Sequence, residues 1–249
     1  VSMSSPRPLL EIAANSLESA LAAQAGGADR VELCENLGEG GATPSFGTLA
    51  LARERLRIPL YVLIRPRGGD FVYSPDEWEV MRRDVELCAR LGCDGVVIGA
   101  LDAEGNVDMA GCRVLAEAAG TMGITFHRAF DCVADRVGAL EDVVALGCER
   151  ILTSGGADDA LSGASAIAAD IARADGRLAM MAGAGLTVDN IAGAVRATGA
   201  REFHASAKVL MRGEGRDGPS ELAKAYWRSS GALVRQFRHR LDACAAEGF

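Results

Sequence analysis

The chain has 249 residues, 49% of them hydrophobic and 24% charged, which is enough apolar material for one large core and excludes a disordered protein. Its net charge of −8 excludes the broad basic face that nucleic acid or an anionic membrane surface requires, so neither partner is expected. No apolar run approaches the roughly 20 residues that span a bilayer. Val1–Pro8 lack a charged stretch followed by an apolar one, so no secretory signal is expected. Seven cysteines, odd in number and scattered, read as reduced thiols of a cytoplasmic protein rather than as a disulfide framework.

Short β-rich runs alternate with amphipathic stretches along the chain. Strands are predicted at 9–14, 30–35, 59–67, 95–101, 124–131, 150–155, 178–185 and 201–207. Eight strands alternating with helices imply parallel pairing through helical crossovers. Helix starts are marked by Asn15 with Glu18 and by Ser74 with Glu77, both at capping-box spacing. Trp78, Met81, Val85 and Cys88 then form one buried stripe. A glycine-led turn recurs before the even-numbered strands, at Gly27-Ala28-Asp29, Gly92-Cys93-Asp94, Gly147-Cys148-Glu149 and, more loosely, Gly199-Ala200-Arg201. This repetition favours a closed (β/α)8 barrel over an open, doubly wound sheet. The expected organisation is α/β, one domain over 9–249. Its barrel spans about 9–211, an extra C-terminal helix spans about 220–247, and residues 1–8 are disordered. Residues 213–219 read as a loose loop. Leu222, Tyr226, Leu233, Phe237 and Leu241 give the last helix a near-heptad apolar face, for packing on the barrel or against a second subunit.

In such barrels the functional end is the C-terminal rim of the strands. Period-two alternation points Glu11, Glu32, Cys34, Arg65, Arg67, His127, Thr153, His204 and Ser206 inward. An interior normally filled by branched apolar residues does not need so many polar groups. A salt-bridge network of Glu11, Glu32 and Arg65 is the structural explanation for some of them. Two of three histidines at strand ends favour a functional site, whereas His239, between Arg238 and Arg240, reads as a solvated helix face. Gly183-Ala184-Gly185-Leu186 runs into Thr187, a favoured N-cap, and offers backbone N–H groups where barrels often bind phosphate. Arg65-Pro66-Arg67-Gly68-Gly69-Asp70 places two guanidinium groups beside a glycine pair, a pattern suited to carboxylate or phosphate.

Several of these segments together resemble the copper homeostasis protein CutC family. The stretches are Gly26–Cys34, Gly40–Ser45, Arg65–Phe71, Gly105–Asp108, Thr125–Asp131, Leu152–Gly155 and Met181–Gly185. The resemblance covers about residues 9–211 in order. It implies a TIM-type barrel, a cytoplasmic homodimer, a role in copper homeostasis and copper ion binding, with Cys34 matching the family's second-strand cysteine. The family's first-strand cysteine has no counterpart, since Ala13 and Ala14 stand there. Cuprous ion needs two or three converging soft ligands, and there is no Cys-x-x-Cys pair or Met-rich run.

Three classes of function are therefore open. The first is copper binding, with Cys34 as the metal ligand and no other cofactor. The second is an enzyme acting on a small anionic substrate, phosphorylated or not, by acid–base chemistry. There Glu11 or Glu32 is the general base, His127 the acid or oxyanion donor, and Arg65, Arg67, Thr153, Gly183, Gly185, His204 and Ser206 are the ligand-binding set. The third is a barrel without chemistry that acts through its surface.

Overall fold

The computed structural model describes residues 7–213 and 225–248. Eight parallel strands close in sequence order into a barrel: β1 (Leu9–Ala14), β2 (Arg30–Leu33), β3 (Leu60–Leu63), β4 (Gly95–Ile98), β5 (Gly123–Phe126), β6 (Arg150–Thr153), β7 (Ala179–Gly183) and β8 (Glu202–Ala205). Closure comes from β1 pairing with β8, with Leu9 opposite Glu202 and Glu11 opposite His204. Seven helices follow the first seven strands: α1 (Leu17–Ala25), α2 (Phe46–Arg55), α3 (Pro75–Leu91), α4 (Met109–Ala119), α5 (Arg136–Ala145), α6 (Ala164–Ala174) and α7 (Ile191–Thr198).

The glycine-led turns act as the sequence suggests. Gly27, Gly92, Gly147 and Gly199 all have positive φ, which glycine adopts without the strain a Cβ would add. At the start of α3 the Ser74 and Glu77 capping box forms, and Met81, Val85 and Cys88 are buried. At the start of α1 the cap is Ser16, whose hydroxyl accepts from the Ser19 N–H, and not Asn15. Thr187 likewise does not cap α7. It heads a turn closed by Asn190, and the helix starts at Ile191.

The main difference lies after β8. Residues 225–229 are not helical: β10 (Ala225–Ser229) pairs antiparallel with β9 (Lys208–Arg212). Tyr226 and Trp227, both strand-favouring aromatics, face outward here with Leu210. Helix α8 (Gly231–Ala246) begins only after Ser230, whose hydroxyl accepts from the Leu233 N–H, and it buries Phe237 and Leu241 against α1 and α7. Leu222 lies outside the described residues, as do residues 1–6 and most of the 213–219 loop.

Two cores result. The larger lies between barrel and helices and holds fully buried Phe126, Phe130 and Phe203. The smaller, inside the barrel, is only Ala13, Cys34, Tyr61, Leu63 and Val97. Much of the rest of the interior is polar, with Leu152 and Met181 as further apolar positions.

Candidate functional site

The first strand falls where it is predicted, at 9–14, and the others are predicted too long at their C-terminal ends, because the backbone turns into the rim loops after four or five residues. Arg65 shows the consequence. Its N–H bonds to the Thr43 hydroxyl, at 2.9 Å, instead of continuing a ladder. Its guanidinium donates to the carbonyls of Glu39, Gly41 and Gly69, each at 2.8 Å, tying the loops after β2 and β3 together. Among the described residues Arg65 pairs with no carboxylate, and its Nε is buried without a partner. Its positive charge is therefore left uncompensated beside the barrel mouth.

That mouth opens into a cavity of about 970 Å³. Glu32, Cys34, Arg65, His127, Gly185, His204 and Ser206 line it, together with Phe71, which the sequence analysis did not single out. The Phe71 ring lies 5.1 Å from the His127 ring, and the Arg65 guanidinium sits 5.2 Å from the same phenyl ring. His127 Nδ1 accepts from the Ala129 N–H at 3.1 Å, so its proton resides on Nε2, which has no partner among the described residues. Burial, reinforced by the neighbouring Arg65 charge, pushes the His127 pKa down to about 3. His127 is thus a neutral imidazole with a free N–H donor.

Three expected site residues do not line the cavity. Arg67 turns outward to Glu77 and Asp70 and stacks on Tyr73. Thr153 is on the outer face of β6, because the inner positions are Arg150 and Leu152. Its hydroxyl donates to Asp131 at 2.5 Å and accepts from Arg136. Gly183 contributes by lacking a side chain, since a Cβ there would press on Leu152 and His204.

Glu11 also stays out of the cavity. It is 1% exposed and lies beneath His204, whose Nδ1 is 2.7 Å from Glu11 Oε1. The expected network of Glu11, Glu32 and Arg65 is replaced by another. Arg30 Nε donates to Glu11 Oε2, Arg30 Nη2 donates to Glu202 Oε2 at 2.7 Å, and Arg150 Nε donates to the same oxygen at 2.9 Å. The chain ends at Glu149 and Tyr61, with Tyr61 flanked by both guanidinium groups at 5.2 and 4.9 Å. Arg30, Arg150 and Glu202 were missed: Arg30 and Glu202 share inward parity with the recognised Glu32 and His204, whereas Arg150 lies on the face opposite to Thr153, the residue expected to point inward on β6.

Glu32 Oε2 stands 3.6 Å from His204 Nε2 on the other side of the imidazole. Burial lifts the Glu32 pKa to about 7, with His204 opposing and the Glu11 charge adding to the rise. His204 itself is raised despite burial, by Glu32 and Glu11. Glu11 is held well below the usual carboxylate range: burial opposes, but the Arg30 and His204 charges prevail.

The CutC family model matches residues 8–209. This chain belongs to the CutC family. A CutC family protein of Xanthomonas axonopodis pv. citri is 65% identical over 202 residues, covering 81% of this chain and 84% of the relative. One of Chromobacterium violaceum is 52% identical over 244 residues, covering 94% and 98%. The solved CutC structure from Streptococcus agalactiae superimposes with a TM-score of 0.77 at 32% identity, over 80% of this chain and 98% of that one. A thiamine phosphate pyrophosphorylase from Pyrococcus furiosus shares only the fold, at 15% identity and a TM-score of 0.59 over 95% and 96%. The CutC family match ends within β9, so the second half of the hairpin and α8 lie beyond it. Among the described residues no helix is long and apolar enough to cross a membrane.

Proposed function

We propose that this CutC barrel is an enzyme that moves protons on a small anionic substrate, with Glu32 as general base. His127 is the hydrogen-bond donor to the oxygen where charge develops, and Arg65 is the cation that attracts the anion. The observation that carries this reading is the pair of buried, unpartnered donors, His127 Nε2 and Arg65 Nε, at the same cavity as Glu32. A buried donor with no partner is costly, and a substrate oxygen would relieve that cost. A neutral imidazole suits the role because it stabilises an enolate-like oxygen without adding a competing proton. Proton transfer beside a carbonyl, as in isomerisation, epimerisation or retro-aldol cleavage, needs this inventory and no nucleophile. Gly185 and Ser206 border the cavity where a phosphate would sit, but Asp158 and Asp189 line the same side. Charge therefore favours a carboxylate-sized anion held between Arg65 and His204.

A thermal-shift screen of carboxylates and phosphosugars, followed by turnover assays on whatever binds, tests this. Glu32→Gln is expected to cut turnover by about 10²–10⁴-fold while sparing affinity. Arg65→Ala is expected to weaken binding more than Arg65→Lys does. The proposal fails if no small anion stabilises the protein at millimolar concentration, or if Glu32→Gln turns over like the parent.

Copper handling is the second reading, because the Streptococcus agalactiae relative carries copper homeostasis in its name. The donor set does not fit it. Cys34 is the cysteine lining the cavity, and its neighbour Ala13 offers no sulfur. Burial, with Glu32 and Glu35 adding to it, pushes the Cys34 thiol well above its usual range, which disfavours the thiolate that binds metal. Among the described residues no group of three His, Cys, Asp or Glu side chains is arranged to hold a metal ion. The expected outcome in competition with a strong Cu(I) chelator is weak binding that Cys34→Ser abolishes. Tight stoichiometric binding that survives Cys34→Ser would reinstate copper elsewhere in the chain.

The cytoplasmic location belongs to the same proposal and is supported by seven free cysteines, six of them buried. The homodimer also belongs to it, and sedimentation velocity checks that state.

A further inference from the structure

We propose that Glu32 and His204 work as one proton-carrying pair, and that Glu11 is the positioning residue that holds His204 to this task from inside the barrel. This rests on reading the cavity as an acid–base site, and it reassigns two residues. Glu11 is not a base, and His204 is more than a ligand contact.

Glu11 has no oxygen to spare. Oε1 holds His204 Nδ1 and Oε2 holds Arg30, and the side chain does not reach the cavity. With Nδ1–H fixed on Glu11, the opposite nitrogen of the ring turns to Glu32. The 3.6 Å between Nε2 and Oε2 exceeds a hydrogen bond, so a small approach or one intervening water completes the transfer path. Both of these groups line the cavity, so both can meet a substrate.

The charges behind Glu11 explain why the pair is available. Arg30 and Arg150 balance Glu11 and Glu202 in one buried run, so that run leaves Glu32 and His204 free to exchange a proton above it, with Arg65 at the mouth. β1 presents Glu11 and β2 presents Arg30 and Glu32, while the strand of His204 itself carries Glu202 below it. β7 presents uncharged Met181 and Gly183, and at Gly183 a Cβ would stand 3.1 Å from His204 Cβ. A barrel interior filled by branched apolar side chains would be at least as stable as this run of ions, so stability does not account for it.

The step balances without an external reactant. Glu32 takes a proton from the substrate carbon, and the electron pair stays on the substrate as an enolate whose oxygen accepts from His127 Nε2–H. His204 gives its Nε2 proton to the substrate at the second position. The proton on Glu32 then returns to Nε2 and restores both groups.

Side-chain 15N NMR of the ligand-free protein tests the pair directly, since the chain has only three histidines. Losses in His204→Gln and His127→Asn assign the signals. The expected result is that His204 is more than half protonated at pH 6.5, where an unperturbed histidine is half protonated, with both nitrogens carrying hydrogen. Glu11→Gln is expected to bring it below half and Glu11→Asp to restore it, with the His127 signal unchanged. On any substrate found, Glu11→Gln is also expected to shift the pH profile of turnover. A His204 that is mostly neutral at pH 6.5 in the parent overturns the proposal, and this charge state is read on the parent protein itself. A charge state that Glu11→Gln leaves unchanged overturns the role of Glu11. Failure of every anion to bind, by contrast, overturns the acid–base reading of the cavity while the NMR result stands apart from it.

Discussion

His127 and Glu32 face one cavity, yet burial moves them in opposite directions, and the folded protein must carry both consequences. His127 falls from 6.5 to about 3, so between these values the unfolded chain binds a proton that the folded chain refuses. Its contribution to stability is full above pH 6.5 and is lost as pH falls towards 3, by about 2 kcal/mol at pH 5. Glu32 rises from 4.5 to about 7, so its contribution is full below pH 4.5 and is lost as pH rises through 7. Urea titrations from pH 4 to 8 should separate the two. His127→Asn is expected to flatten the acid side of the stability curve, and Glu32→Gln the neutral side. Identical curves for the parent and both variants would mean that neither group is buried in the charge state described.

At the scale of elements, the glycines on the inner faces of the strands make the site possible. A Cβ at Gly99, just beyond β4, would overlap the His127 ring, and one at Gly95 would overlap the Tyr61 ring. Gly99→Ala is therefore expected to displace His127, with a loss of stability of about 1–3 kcal/mol and a larger loss of anion binding. Gly92→Ala, in the left-handed position that ends α3, should lower stability without touching ligand affinity. Melting curves with and without the ligand distinguish these outcomes. Strand starts were legible because each glycine-led turn announces one. Strand ends were not, because alternation of side chains continues on paper after the backbone has left the ladder, as at Arg65; Thr153 is still in the ladder, but on the opposite face to the one expected. The partners of the buried carboxylates were also beyond reach. Inward parity alone could have flagged Arg30 and Glu202, and Arg150 only with the parity of β6 read the other way, but which of them meets Glu11 depends on the stagger between strands. The β9–β10 hairpin was hidden by Tyr226, which reads equally well as part of an apolar helical face.

Across the whole molecule, the ionic run from Glu11 to Arg150 makes stability sensitive to which charges are removed together. Arg30→Met leaves Glu11 and Glu202 without their shared partner and is expected to cost about 3–5 kcal/mol. Replacing Glu11, Arg30, Glu202 and Arg150 jointly by apolar residues of similar volume should recover most of that loss, because the desolvation penalty disappears with the ions. Chemical denaturation of the two variants beside the parent decides it. A joint variant less stable than Arg30→Met would show that the run itself stabilises the fold.

The pairing of β1 with β8 also sets a schedule for synthesis. His204 lies 193 residues after the Glu11 it must meet. At roughly 5–20 residues per second, a ribosome needs on the order of 10–40 s to deliver the second after the first. During that interval β1 has an open edge and Glu11 has Arg30 but no imidazole, so the nascent chain carries a barrel wall without a proton-handling centre. Any factor that shields an unpaired parallel strand would act in this interval, and a chain released before its eighth strand would expose both the edge and the buried charges to its neighbours.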